Sequence, residues 1–249
     1  TAYKAAIADG VDIVVKIDGD GQMNPALLHH FVRPLLRGEA DYTKGNRFFR
    51  PESVQGMPPV RLFGNAVLSF MTKLSCGYWN IMDPTNGYTA ARTCVLAELP
   101  LDKLEQRYFF ETDMLFRLNT VRAVVKDVPM DAVYADEESH LKIGKVLPEF
   151  LRKHASRLWR RYVYSYLVRD FNVGSVYSLV GLALLAFGLL FGLYGWINGV
   201  QHAAPATSGT VMLAALPVII GIQCWIAFLH HDVSNVPIDP LSRLLDEAE

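Results

Sequence analysis

The sequence predicts an α/β domain followed by two membrane-spanning helices, and three observations predict it. Residues 11–17, Val-Asp-Ile-Val-Val-Lys-Ile, form a short run rich in β-branched side chains, which reads as a buried strand of an α/β sheet. The run ends on Asp18-Gly19-Asp20, so two carboxylates emerge together at the carboxyl edge of a strand, where open α/β sheets place their ligands. Residues 175–197 and 209–229 then supply 23 and 21 consecutive uncharged residues, each enough for the ~20-residue helix that spans a bilayer.

Between these landmarks, strand-like and helix-like segments alternate. Residues 25–36 read as a helix capped by Asn24 and opened by Pro25, whose missing N–H costs nothing in the first turn. Residues 41–46 lead into a loop with Gly45 and Arg47. Residues 60–74 and 111–118 read as helices, and 123–128 as a strand that stops at Pro129. The first residues, Thr1 to Ala8, look like the tail of a helix with no strand before it, so an N-terminally incomplete chain is expected. Cys76, Cys94 and Cys224 have no metal-binding spacing and are given no role.

The chain is 51% hydrophobic, and the excess over a soluble domain sits in the two apolar blocks. Arginines and lysines crowd the segment before the first block, whereas the connecting loop, 198–208, has neither. The positive-inside rule therefore puts residues 1–149 and the tail 230–249 in the cytoplasm, joined by a two-helix hairpin. Gly188 and Gly192, with Gly181 and Gly195 near the same side, suit close helix packing against a partner in this chain or another. Residues 150–171 mix arginines with Leu, Trp and Tyr, as expected of an amphipathic helix lying among lipid headgroups. The formal net charge of −1 argues against nucleic acid as a partner.

Four stretches carry a family resemblance: Val14-Val15-Lys16-Ile17-Asp18-Gly19-Asp20-Gly21-Gln22, Lys44-Gly45-Asn46-Arg47-Phe48, Met82-Asp83-Pro84-Thr85-Asn86-Gly87-Tyr88 and Phe109-Phe110-Glu111-Thr112-Asp113. In order and spacing they resemble family 2 glycosyltransferases of the polyprenyl-phosphate sugar synthase type. The resemblance implies a partial nucleotide-sugar-binding sheet of the GT-A type, with Mg²⁺ or Mn²⁺ held by Asp18, Asp20 and Gln22. It implies a nucleotide-sugar donor and a polyprenyl phosphate acceptor whose phosphate meets Arg47, Arg61, Asn65 and Lys142. Asp83, Asp113 and Glu111 are its catalytic candidates, and a bacterial inner membrane is the expected location. Homo-oligomerisation is left open. Asn86 stands where the family has Ser, and Tyr134 where the mannose synthases have Arg.

The choice of acceptor follows from charge. A sugar hydroxyl needs a carboxylate general base within hydrogen-bond reach, for which Asp83 or Asp113 is the candidate. A phosphate monoester, with a second pKa near ~6, is already anionic at neutral pH and needs cations to hold it. Three alternatives remain. They are a saccharide acceptor on the same fold, a non-catalytic membrane scaffold, and a phosphatase of the haloacid dehalogenase type, whose loop continues with Thr where this chain has Gln22.

Overall fold

A computed structural model describes residues 2–19, 21, 23–50, 59–131 and 143–247, and the side chains of all these except 60, 61 and 143–146. Two compact units are present: Thr1–Arg161 with Val236–Glu249, and Tyr162–Asn235.

The first unit is a mixed sheet with helices, the α/β class that the sequence predicts. Its elements run α1 (Ala2–Ala8), β1 (Ile13–Lys16), α2 (Leu28–Leu36), β2 (Tyr42–Asn46), α3 (Pro59–Cys76), β3 (Thr89–Arg92), α4 (Thr93–Ala97), α5 (Phe110–Thr120), β4 (Val125–Pro129) and α6 (Ile143–Tyr162). A single 3₁₀ turn, Pro25–Leu27, precedes α2, and Asn24 accepts the Ala26 N–H at 3.0 Å, the cap expected there. The described sheet has the order β1-β3-β2-β4, with β2 parallel to β4 and both other pairs antiparallel.

Two strand readings need correction. β3 has no counterpart among the sequence-predicted strands, yet it lies between β1 and β2. β1, expected to be buried, is half-exposed along its length, and flanking Val11 and Ile17 are 44% and 36% exposed. The reason is position: β1 is the edge strand of the described sheet, paired only with β3 there.

Alternation along the strands sends side chains into two cores. On one face Tyr42, Ala91 and Val125 pack with Val95 and Leu96 of α4 and Met114, Leu115 and Leu118 of α5. On the other, Tyr88, Ala90 and Val128 meet Phe31 and Leu35 of α2, and the Phe31 and Tyr88 rings stack with centroids 3.8 Å apart.

The C-terminal tail completes the same unit. Asp41, fully buried, accepts the N–H groups of Leu241 and Ser242, each at 2.8 Å, and so caps α9 (Leu241–Asp246) while also binding the Val124 N–H at 2.7 Å. Val236, Leu241 and Leu245 pack against the first core, and Arg92 pairs with Asp246 at 2.8 Å.

Helix α6 changes the reading of the basic segment. His154, Arg157 and Arg161, expected among headgroups, are buried within the first unit. Arg157 pairs with Asp113 at 2.6 Å and Glu105 at 2.9 Å, Lys153 with Glu105 at 2.9 Å, and Arg161 donates to the Leu74 carbonyl at 2.8 Å. The His154 ring meets the Ser75 hydroxyl at 2.8 Å, and burial pulls its pKa down to about 4. Lys153 and Arg157 thus satisfy carboxylates inside the fold, because the alternative is an unpaired buried charge. Arg152, Leu158, Trp159 and Arg160 remain exposed on α6.

The second unit is a helical hairpin of α7 (Val173–Gln201) and α8 (Ser208–Ser234), both long and apolar enough to cross a membrane. Asn172 caps α7 in a reciprocal box with Ser175. The glycine face packs against α8 of the same chain. A Cβ on Gly181 would fall 2.9 Å from the Trp225 ring and 3.1 Å from the Gly221 carbonyl, and one on Gly188 would fall 2.7 Å from the Ala214 carbonyl. At one end of the hairpin the Tyr166 hydroxyl donates to buried Asp232 at 2.6 Å.

Candidate active site

Lys16 and Asp18 lie two residues apart on extended backbone, so both point to one side of the β1 edge. The Lys16 ammonium lies 2.8 Å from Asp18 Oδ1, 3.1 Å from Glu111 Oε1 and 3.4 Å from the Gly87 carbonyl oxygen. It also sits over the Phe110 ring, 5.6 Å from its centroid. Burial alone would lower the Lys16 pKa, but the two carboxylates outweigh it and the net shift is upward. The other Asp18 oxygen, Oδ2, lies against Gly87. A Cβ there would be 1.8 Å from it, so only glycine leaves room for the carboxylate.

A second pair sits where β2 ends. Arg47 grips Asp83 through Nε at 2.7 Å and Nη2 at 3.1 Å, and the Arg47 backbone N–H adds a contact at 3.3 Å. Asp83 is fully buried and also receives Thr85 Oγ1 at 3.3 Å and Asn86 Nδ2 at 3.4 Å. Such a bidentate, charge-assisted pair fixes the guanidinium plane. The Arg47 side chain is 27% exposed, so it is only partly withdrawn from solvent.

Three supporting groups had no role in the sequence reading. Lys44 is fully buried in β2 and donates to the Asn86 carbonyl, and burial lowers its pKa to about 8. Asp127 on β4 accepts from Asn46 Nδ2 and the Met82 N–H, each at 2.9 Å, and burial raises its pKa to about 6. Asp127 precedes a strand-ending Pro-Met at the sheet edge, and Lys44 interrupts an otherwise uncharged strand. Those were the available signals. For Lys16 the signal is a charge within the apolar run 13–17, two residues before Asp18.

The sequence-predicted residues are therefore sorted by the structure. Asp18 and Glu111 are brought together through Lys16, and Arg47 through its pair with Asp83. Asp113 joins a different cluster. Fully buried, it accepts from Arg117 at 2.9 Å, Arg157 at 2.6 Å and the Glu105 N–H at 2.9 Å, which ties α5 to α6. Asn65 on α3 lines an open groove of about 310 Å³ with Phe48, Leu62, Phe70, Lys73 and Met82. Asp20, Gln22, Lys142 and the side chain of Arg61 lie outside the described residues. Among the described residues no three His, Cys, Asp or Glu side chains converge as a metal site. Asp18 by itself offers the hard oxygen that Mg²⁺ or Mn²⁺ prefers.

No family model matches the chain. Among curated proteins it is 29% identical over 136 residues to the UDP-N-acetylglucosamine–dolichyl-phosphate N-acetylglucosaminyltransferase of Methanococcus voltae, over 55% of this chain and 54% of that protein. It is 27% identical over 132 residues to the undecaprenyl-phosphate mannosyltransferase of Micrococcus luteus, over 53% of each. The chain thus spans about half the length of the curated relatives it matches. Among solved structures, glucosyl-3-phosphoglycerate synthase of Mycobacterium tuberculosis with phosphoglyceric acid is 21% identical at a TM-score of 0.44, covering 64% of this chain and 54% of that one. The same enzyme with Mn²⁺, UDP-glucose and glycerol 3-phosphate is 22% identical at a TM-score of 0.40, covering 64% and 53%. In sequence the chain is similar to these polyprenyl-phosphate sugar transferases over that half of their length.

Proposed function

We propose that this chain carries the donor and acceptor groups of an enzyme that transfers a sugar from a nucleotide-sugar to a polyprenyl phosphate at the cytoplasmic face of a membrane, in a bacterium the inner membrane. The observation that carries this reading is the engagement of the buried carboxylates. Both oxygens of Asp83 and of Asp113 are held by guanidinium groups. A carboxylate so held is a poor general base, which disfavours a hydroxyl acceptor. An acceptor phosphate brings its own negative charge and needs an oriented cation, which Arg47, fixed by Asp83, supplies.

On this reading Asp18, with Asp20 and Gln22, holds a divalent cation against the donor diphosphate. The cation, Mg²⁺ or Mn²⁺, neutralises the charge that develops on the leaving nucleoside diphosphate. Gly87 keeps the Asp18 carboxylate in place, and Lys16 ties it to Glu111. Arg61, Asn65 and Lys142 are assigned to the acceptor side.

Several features support a membrane setting. The chain leaves the first unit at Arg161 and re-enters it at Val236, as a two-span hairpin with both ends on one side requires. Helix α3 leaves Leu62, Phe63, Val67 and Phe70 exposed, and Phe49 and Met82 are exposed as well. Such a surface suits an acceptor that arrives in lipid.

The test supplies the full-length protein with labelled sugar nucleotide and either a polyprenyl phosphate or the matching polyprenol. Label is expected in the lipid phase with the phosphate alone. Label entering the polyprenol, or only a soluble saccharide, would overturn the proposal.

A further inference from the structure

The Lys16 ammonium has three N–H donors and meets three acceptors from three separate segments: Asp18 at 2.8 Å on the β1 edge, Glu111 at 3.1 Å on α5 and the Gly87 carbonyl at 3.4 Å. Lys16, Asp18 and Glu111 are 30%, 42% and 15% exposed at their side chains, so solvent screens this cluster only in part. Asp18 therefore carries a fixed counter-charge on one oxygen, while its other oxygen is pressed against Gly87. A free divalent ion that approaches Asp18 meets this ammonium and is repelled by it. A divalent ion bound to a diphosphate brings negative oxygens for which the same ammonium is attractive.

The geometry points to Lys16 as a positioning and charge-balancing residue that couples the two ligands, so that Asp18 takes the cation together with the donor diphosphate and not alone. This inference rests on the proposed role of Asp18 as a cation ligand. Lys16 acts through Asp18 and Glu111, and its effect is on binding order and affinity.

The experiment measures Mn²⁺ binding to the full chain by electron paramagnetic resonance, with the ion alone and with UDP or GDP added. Wild type is expected to bind Mn²⁺ weakly alone and far more tightly with a nucleoside diphosphate. Lys16→Met should bind the free ion about tenfold more tightly, as loss of a unit charge within ~5 Å implies, and should lose most of the enhancement by nucleotide. Lys16→Arg should restore the wild-type pattern, which a purely structural role would not require. Asp18→Asn is the control for the site itself. Mn²⁺ binding that survives Asp18→Asn, or wild type that binds no Mn²⁺ even with nucleotide, overturns the site assignment and the inference with it. If Asp18→Asn abolishes binding while Lys16→Met binds free Mn²⁺ no more tightly than Lys16→Arg, the site stands and the inference fails.

Discussion

Gly87→Ala is expected to cut sugar transfer by about a hundredfold or more while leaving the fold intact, because small misplacements at a reacting centre cost that much. The new methyl group would lie 1.8 Å from Asp18 Oδ2 and 2.6 Å from its carboxyl carbon, so the carboxylate must swing away. Doing so breaks the 2.8 Å contact with Lys16 and removes the oxygen from the place where the donor diphosphate is proposed to be held. The clash is with the end of a flexible, part-exposed side chain and not with backbone, so thermal melting should shift by only a few degrees. Turnover within tenfold of wild type, with unchanged melting, would show that the Asp18 position is immaterial.

Asp83→Ala is expected to act on stability as well as activity. It strips a fully buried carboxylate from a guanidinium gripped at 2.7 and 3.1 Å, and leaves the Thr85 and Asn86 groups without their acceptor. Removing one partner of a buried pair costs about 3–5 kcal/mol, and the partial exposure of Arg47 brings the expected loss to about 2–3 kcal/mol. Arg47→Ala alone should cost less, since Asp83 keeps three neutral donors, the backbone N–H of residue 47 among them. In denaturation of Arg47→Ala, Asp83→Ala and the double variant, the two effects should be non-additive by about 2 kcal/mol. Additive effects would mean that the pair contributes little.

Much of this arrangement is legible from residues that are near one another in sequence. The β-branched run before Asp18, the Asn24-Pro25 cap and the uncharged stretches at 175–197 and 209–229 are local signals, and each marks a real element. What was not legible depends on distant partners. β3 is only Thr-Ala-Ala-Arg, with little intrinsic strand preference, and becomes a strand because β1 and β2 flank it. The basic side chains of α6 recur at 153, 154, 157 and 161, a helical stripe that faces inward. Its counter-charges, Glu105 and Asp113, lie some 44–52 residues upstream, so the local sequence points to lipid headgroups as the anion. For Asp113 one local hint existed: Arg117 follows four residues later, at the spacing of a helical ion pair. The tail gave no hint at all, since its capping residue, Asp41, lies about 200 residues away.

The most direct measurement is the pH dependence of kcat/KM with two acceptors of different acidity. If the acceptor phosphate is the nucleophile, the acidic limb follows its second ionisation, near ~6 for a phosphate monoester. A polyprenyl phosphonate, whose second ionisation lies higher, should move that limb to higher pH by the same interval. Asp127, whose pKa burial raises to about 6, could imitate this limb, so the comparison is repeated in Asp127→Asn. A limb that moves with the acceptor in both proteins is the expected result. A limb that stays in place when the acceptor changes, and disappears in a carboxylate variant, would mean that the enzyme uses a general base.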